Sequence, residues 1–292
     1  MVSSRYAGLL AAALASLIAV SGADGYGKPV TATTTVPSRI VSLSPTATED
    51  LFAIGAGRQV IAVDKDSNYP ANAPHTKLDG YQPNAEAVAA YNPDLVVISN
   101  DSNGLVNALG KLHIRVLLEP AVANLKGVYA QLKQLGAVTG NAAGAGALVA
   151  KLRSQVTSIV HSVPHASKRL TVYHELEPDY YSVTSKTFIG RVYTLLGLHD
   201  IADAAKNAGS GYPQLSAEYI VAADPELIVL ADSVCCAQTP AKVAKRAGWE
   251  HISAVAHGGV LAVNDDIASR WGPRIVDFIR EVAAKVRALE AK

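Results

Sequence analysis

The chain has 292 residues, 49% of them apolar and 17% charged, with a formal net charge of +1. That composition describes a folded protein with room for about two domains and excludes a disordered chain. So small a charge, with no Lys/Arg run, excludes a phosphate-tracking surface for nucleic acid.

Arg5 precedes an apolar run over 7–20, and Ser21, Gly22 and Ala23 follow it. A basic start, an apolar middle and small residues at the end predict an export signal over 1–23. The alternative is an uncleaved anchor, but the run falls short of the roughly 20 residues that span a bilayer. Residues 24–37 are rich in Gly, Thr and Pro and read as a leader.

RIVSLSP (39–45) is β-branched and apolar and predicts a strand. Residues 46–57 carry helix start and stop signals in the right order, and 59–64 reads as a second strand. A helix over 85–91 and strands over 94–99 and 115–120 follow, then an amphipathic segment over 124–138. The second half reads as strand 170–176, helix 188–201, helix 217–223, strands 227–232 and 258–265, and a closing helix over 274–291. Between the halves, Ala147, Leu148, Leu152, Val156, Ile159 and Val160 recur at helical spacing up to Pro164. A helix of about 20 residues is roughly 30 Å long, enough to brace two lobes.

One unit occurs twice. NAEAVAAYNPDLVVIS (84–99) and SAEYIVAADPELIVLA (216–231) match at an offset of 132 residues, with Glu86 and Glu218 in the same place. The reading is therefore α/β: two similar lobes with mainly parallel sheets, joined by one long helix, with a ligand cleft between them. The boundaries are 38–139 for the N-terminal lobe, 140–164 for the helix and 165–292 for the C-terminal lobe. Each glutamate sits in a first helical turn, where an acid favours the helix dipole by about 0.3–1 kcal/mol. Their symmetric placement also suits two copies of a basic partner.

The stretches RIVSLSPTATEDLFAIGAG, NYP (68–70), NAEAVAAYNPDLVV, YPQLSAEYIVAADPELIVL and RWGPRIVDFI resemble the substrate-binding proteins of ABC importers for cobalamin, iron–siderophores and haem. The resemblance runs from about residue 38 to 290. It implies an exported, monomeric receptor in the periplasm or cell-envelope space that captures a bulky metal chelate. A ferric siderophore or a corrinoid ranks ahead of haem. It further implies that Glu86 and Glu218 dock on arginines of an inner-membrane permease. Relatives often carry a lipid-bearing Cys after the export signal. Ala23 stands there, so the sequence does not support a lipid anchor.

Loops at the carboxyl ends of parallel strands line such clefts. The residues expected there are Asp66, Tyr69, Tyr81, Asn100, Tyr173, His174, Tyr212, Asp266, Arg270 and Trp271. Tyr offers a flat apolar face with a polar tip, which suits a wide, partly polar ligand. By the resemblance, Tyr212 packs on the ligand, and Asp266 and Arg270 match a polar pair of cobalamin binders. Asp66 and Ser99/Asn100 stand where those binders show aromatics, which leaves an iron chelate or a less apolar corrinoid open. Arg270 could pair a carboxylate or hydroxamate edge, or form a surface or interlobe salt bridge. Arg274 is assigned to structure.

Rival readings are a bare Zn or Mn binder, an enzyme and an adhesion module. His174 with Glu175 is an incomplete metal site, and no metal or cofactor is expected. No nucleophile elbow, HExxH or phosphate loop is present. Cys235 and Cys236 are adjacent; a vicinal disulfide and a free pair both fit.

Overall fold

Short β-branched runs alternating with helices have one stable solution, a parallel sheet covered on both faces. The computed structural model of the protein, which describes residues 35–163 and 170–291, contains two such sheets. The expected export signal, nearly all of the leader, Pro164 and the first residues assigned to the C-terminal lobe lie outside the described residues.

The first half runs β1 (Ile40–Leu43), α1 (Pro45–Ala53), β2 (Val60–Val63), α2 (Ala85–Ala89), β3 (Leu95–Ile98), α3 (Leu105–Lys111), β4 (Arg115–Leu118) and α4 (Leu125–Val138). Helix α5 (Ala142–His161) leads into the second. That half runs β5 (Thr171–Glu175), α6 (Phe188–Leu195), β6 (His199–Asp200), α7 (Ala217–Ala223), β7 (Leu227–Leu230), α8 (Pro240–Val243), α9 (Ser253–Ala256), β8 (Val260–Ala262), α10 (Asp265–Ser269) and α11 (Ile275–Glu290). Three details differ from the sequence reading. The helix expected over 188–201 stops at Leu195, because Gly197 takes a left-handed φ of 80° and frees the chain for β6. The strand expected over 258–265 ends at Ala262, and the Asn264 side chain caps α10 instead. Helix α3 was not anticipated.

The sheets have the orders β2-β1-β3-β4 and β6-β5-β7-β8, and every pairing within them is parallel. The internal repeat reaches down to the register. Val41 pairs with Val96 in the first sheet, and Tyr173 pairs with Ile228 in the second, each pair displaced by the same 132 residues. Strands β1, β3 and β7 are buried at every position, as sheets covered on both faces require.

One apolar core passes from lobe to lobe, joining Ile40, Leu51 and Leu132 to Leu152, Val172 and Phe278. Helix α5, 20 residues and so about 30 Å long, carries Ala145, Val149, Leu152 and Val156 into it. Ala147, expected on that face, is exposed. The glycines explain the shift of the buried stripe. A Cβ on Gly144 would lie 2.2 Å from the Ile54 carbonyl oxygen, and one on Gly136 would lie 2.4 Å from the Ala145 Cβ. Close backbone approach to α1 and α4 therefore fixes which face of α5 turns inward.

Candidate functional site

In an open parallel sheet, a crevice forms outside the carboxyl ends of the strands where the strand order reverses. In the N-terminal lobe that point lies between β1 and β3. A compartment of about 340 Å³ opens there, lined by Ser44, Asp64, Asp66, Gly80, Tyr81, Ser99 and Asn100. Asp266, Ser269, Arg270 and Trp271 close it from the other lobe. A second compartment of about 390 Å³ shares Ser269 and Trp271 with the first. Val122, Lys186, Phe188, Gly211 and Tyr212 line it. The two form one cleft, with Trp271 standing between its halves.

The tyrosines of the two compartments are repeats of one another. Gly80-Tyr81 precedes the Asn84 cap of α2, and Gly211-Tyr212 precedes the Ser216 cap of α7. Tyr81 is 71% exposed and Tyr212 49%, so each offers a free aromatic face from its own lobe. Glycine is required ahead of Tyr81: a Cβ on Gly80 would lie 2.5 Å from both the Asp64 Oδ2 and the Leu43 carbonyl oxygen.

Asp64, at the end of β2, is 1% exposed and its Oδ1 has no hydrogen-bond partner. Burial pushes its carboxyl up to about 6, against the opposing bond to Ser67. The sequence reading missed this residue because it ends a strand that reads as apolar.

Arg270 is not free. Its Nη1 donates to Glu49 Oε1 at 2.9 Å and to Asn68 Oδ1 at 2.8 Å. Its Nη2 donates to the Asp66 carbonyl at 3.1 Å and pairs with Asp266 Oδ1 at 2.8 Å. Asp266 Oδ2 also accepts from Asn68 at 2.8 Å. Arg274 binds Glu49 through Nε at 2.7 Å and through Nη2. Glu49 is 2% exposed, so both guanidinium groups are spent on a buried carboxylate of the opposite lobe. The salt-bridge alternative for Arg270 describes this geometry. With its one guanidinium so engaged, the first compartment keeps the Asp64 and Asp66 carboxylates as acceptors beside hydroxyl and amide groups that can both donate and accept.

Three expected cleft residues lie elsewhere. Tyr173 and His174 are fully buried inside β5 rather than in a loop after it. Tyr173 packs edge-on against Trp249, and His174 sits between Tyr193 and Phe278 on the opposite face of the sheet. Burial holds His174 down to about 3, hence neutral. The neighbouring Glu175 makes a two-point pair with Arg246, which lies over Tyr180 and Trp249. That plug seals the end of β5, the counterpart of the open end of β1. His174 and Glu175 therefore project to opposite sides, and no group of three His, Cys, Asp or Glu able to hold a metal occurs among the described residues. Tyr69 is also displaced. Its ring covers Arg274 at 4.3 Å and faces a separate groove with Leu148, Lys151 and Arg280.

Glu86 and Glu218 are exposed in the first turns of α2 and α7. Helices that connect parallel strands run against them, so both first turns sit at the carboxyl edges that carry the cleft. The Glu218 backbone N–H and the Ser216 hydroxyl hold its carboxyl below the usual range. Cys235 and Cys236 are joined as a disulfide in the loop after β7. The Asp265 carboxylate anchors that loop, accepting from the Val234 and Cys235 N–H groups at 3.0 and 2.6 Å.

Two parallel-sheet lobes braced by one helix, with a wide polar and aromatic cleft at their facing edges, define a two-lobed ligand-capturing protein. The sequence profile of the family described as "Periplasmic binding protein" matches residues 40–266, and the chain belongs to that family. A cobalamin-binding protein of Halobacterium salinarum is 36% identical over 255 residues, covering 85% of this chain and 69% of its own. The ABC transporter substrate-binding lipoprotein YvrC of Bacillus subtilis is 30% identical over 262 residues, covering 86% and 80%. Among solved structures, the vitamin B12 binding protein BtuF of Vibrio cholerae superposes with a TM-score of 0.74 at 21% identity, covering 88% of this chain and 99% of that one. The haem-binding protein HutB of the same species gives 0.75 at 19% identity, covering 84% and 97%. The protein is thus a substrate-binding protein of the ABC-importer class and not an enzyme, and its family places it outside the cytoplasm. No helix among the described residues is long and apolar enough to cross a membrane.

Proposed function

We propose that this receptor captures a corrinoid of the cobalamin type, one per chain as a monomer, and delivers it to an inner-membrane permease through Glu86 and Glu218. The export signal over 1–23 would carry it to the periplasm or cell-envelope space. The carrying observation is the state of the cleft's charges. Both arginines are bound to Glu49, and Asp266 is held by Arg270 and Asn68, while the Asp64 and Asp66 carboxylates remain as acceptors beside the first compartment. Haem or a carboxylate siderophore presents anionic edges and needs free guanidinium groups. A corrinoid ring presents primary amides, whose N–H groups match acceptors. Tyr81, Tyr212 and Trp271 supply apolar faces for a broad macrocycle. The 36% identity to a cobalamin-binding protein supports the same choice.

The test is calorimetric titration of the purified protein with cyanocobalamin, hemin and several ferric siderophores. Cyanocobalamin should bind one-to-one and tightest. A siderophore or hemin binding more tightly would overturn the corrinoid assignment.

A further inference from the structure

The two halves of the cleft carry opposite electrical character. The compartment beside Tyr81 holds Asp64, Asp66 and Asp266, and its one guanidinium is neutralised by Glu49 and Asp266. None of the residues lining the compartment beside Tyr212 is an Asp or Glu, and it contains Lys186. Lys186 makes no ion pair among the described residues, and its side chain is exposed. The first turn of α6, with Thr187, Phe188 and Ile189, lines the same compartment and turns the positive end of the helix toward it.

The backbone around Lys186 is held from several directions. The Thr184 N–H donates to the Gly211 carbonyl at 2.9 Å, and the Ser185 N–H donates to Asp203 at 2.8 Å. The Thr187 N–H and hydroxyl both donate to the Thr184 carbonyl, at 3.0 and 2.9 Å. A Cβ at Gly190 would lie 2.0 Å from that carbonyl, so the turn admits only glycine there. The lysine is therefore mounted on a fixed turn that is tied directly to the Gly211-Tyr212 wall.

We infer that the compartment beside Tyr212 is an anion subsite in which Lys186 receives a phosphodiester carried on the ligand, while the acidic compartment takes the amide-bearing ring. The assignment rests on the corrinoid reading above. It makes Lys186 a specificity residue that distinguishes a complete corrinoid, with its phosphate-linked nucleotide, from the bare amidated ring.

The experiment compares cyanocobalamin with dicyanocobinamide, which keeps the ring and its amides but lacks the nucleotide and phosphate. Both are titrated into the wild-type protein, Lys186→Ala and Lys186→Arg. The wild type should prefer cyanocobalamin by about tenfold, the scale of one charge-assisted contact. Lys186→Ala should lose most of that preference by weakening cyanocobalamin alone, and Lys186→Arg should keep it. Added salt should erode the preference of the wild type and leave Lys186→Ala unchanged. Equal wild-type affinities, or a Lys186→Ala variant that weakens both ligands alike with an unchanged melting temperature, would overturn the subsite and leave the corrinoid assignment intact. Failure of both ligands to bind would overturn both.

Discussion

Glu49 of α1 and Arg274 at the head of α11 make a two-point ion pair across the lobes, with Nε to Oε2 at 2.7 Å, although 225 residues separate them in sequence. Arg270 joins the same carboxylate. Removing one partner from a buried pair leaves uncompensated charge, at a cost of about 3–5 kcal/mol. Glu49→Gln should therefore lower stability by about 3 kcal/mol in urea denaturation. An unchanged unfolding midpoint would show that the clasp contributes nothing.

Reversing both docking glutamates, Glu86→Lys with Glu218→Lys, should leave corrinoid affinity within about twofold, because neither residue lines either compartment. Uptake by cells carrying the cognate transporter should cease. Normal uptake by the double variant would remove both residues from permease docking.

Two glycines of one helix turn should respond in opposite ways. A Cβ on Gly144 meets the Ile54 carbonyl, so Gly144→Ala should destabilise the protein by about 1–3 kcal/mol. Gly146 has nothing within 4 Å of its Cβ position and lies on the exposed face. Gly146→Ala should stabilise by about 1 kcal/mol through helix propensity alone. Thermal melts of the two variants that shift in the same direction would contradict this packing of α5.

The protein should lose stability as pH rises from 6.5 to about 8. Burial raises the Glu119 carboxyl to about 7 and the Asp200 carboxyl to about 8. Each keeps its proton in the folded state after the unfolded chain has released it, so stability falls as pH climbs toward the folded values. His174, held down to about 3, acts the other way, but only below about 6.5, where the unfolded chain would protonate. Melting temperature should drop across the upper range, and Asp200→Asn should make the drop shallower. Asn keeps an oxygen for the Ala202 N–H that Asp200 accepts at 2.9 Å. A melting temperature that rises with pH would exclude this balance.

The lobes were legible in the sequence because backbone chemistry and patterning repeat locally. The unit at 84–99 returns at 216–231 with its caps, glutamates and strand intact. Tyr81 and Tyr212 were both expected in the cleft, but their correspondence as repeats was not seen, because one extra residue before Ser216 breaks the offset. Tyr173 and His174 were misplaced for a different reason. In a sheet covered on both faces, successive side chains are buried alike, so polarity along β5 cannot distinguish lining from core. The occupancy of Arg270 by Glu49 was invisible, since pairing across 221 residues depends on how the lobes meet. Lys186 carries no motif; only its mounting beside Gly211 brings it into the cleft.

The bracing helix has a consequence for unloading. With α5 packed through Ala145, Val149, Leu152 and Val156 into a core common to both halves, the receptor has no slack strand about which to swing open. Scattering profiles with and without cargo should nearly superimpose. Eviction of the cargo is then work done by the transporter, which must wrench the two ends apart against their own interior.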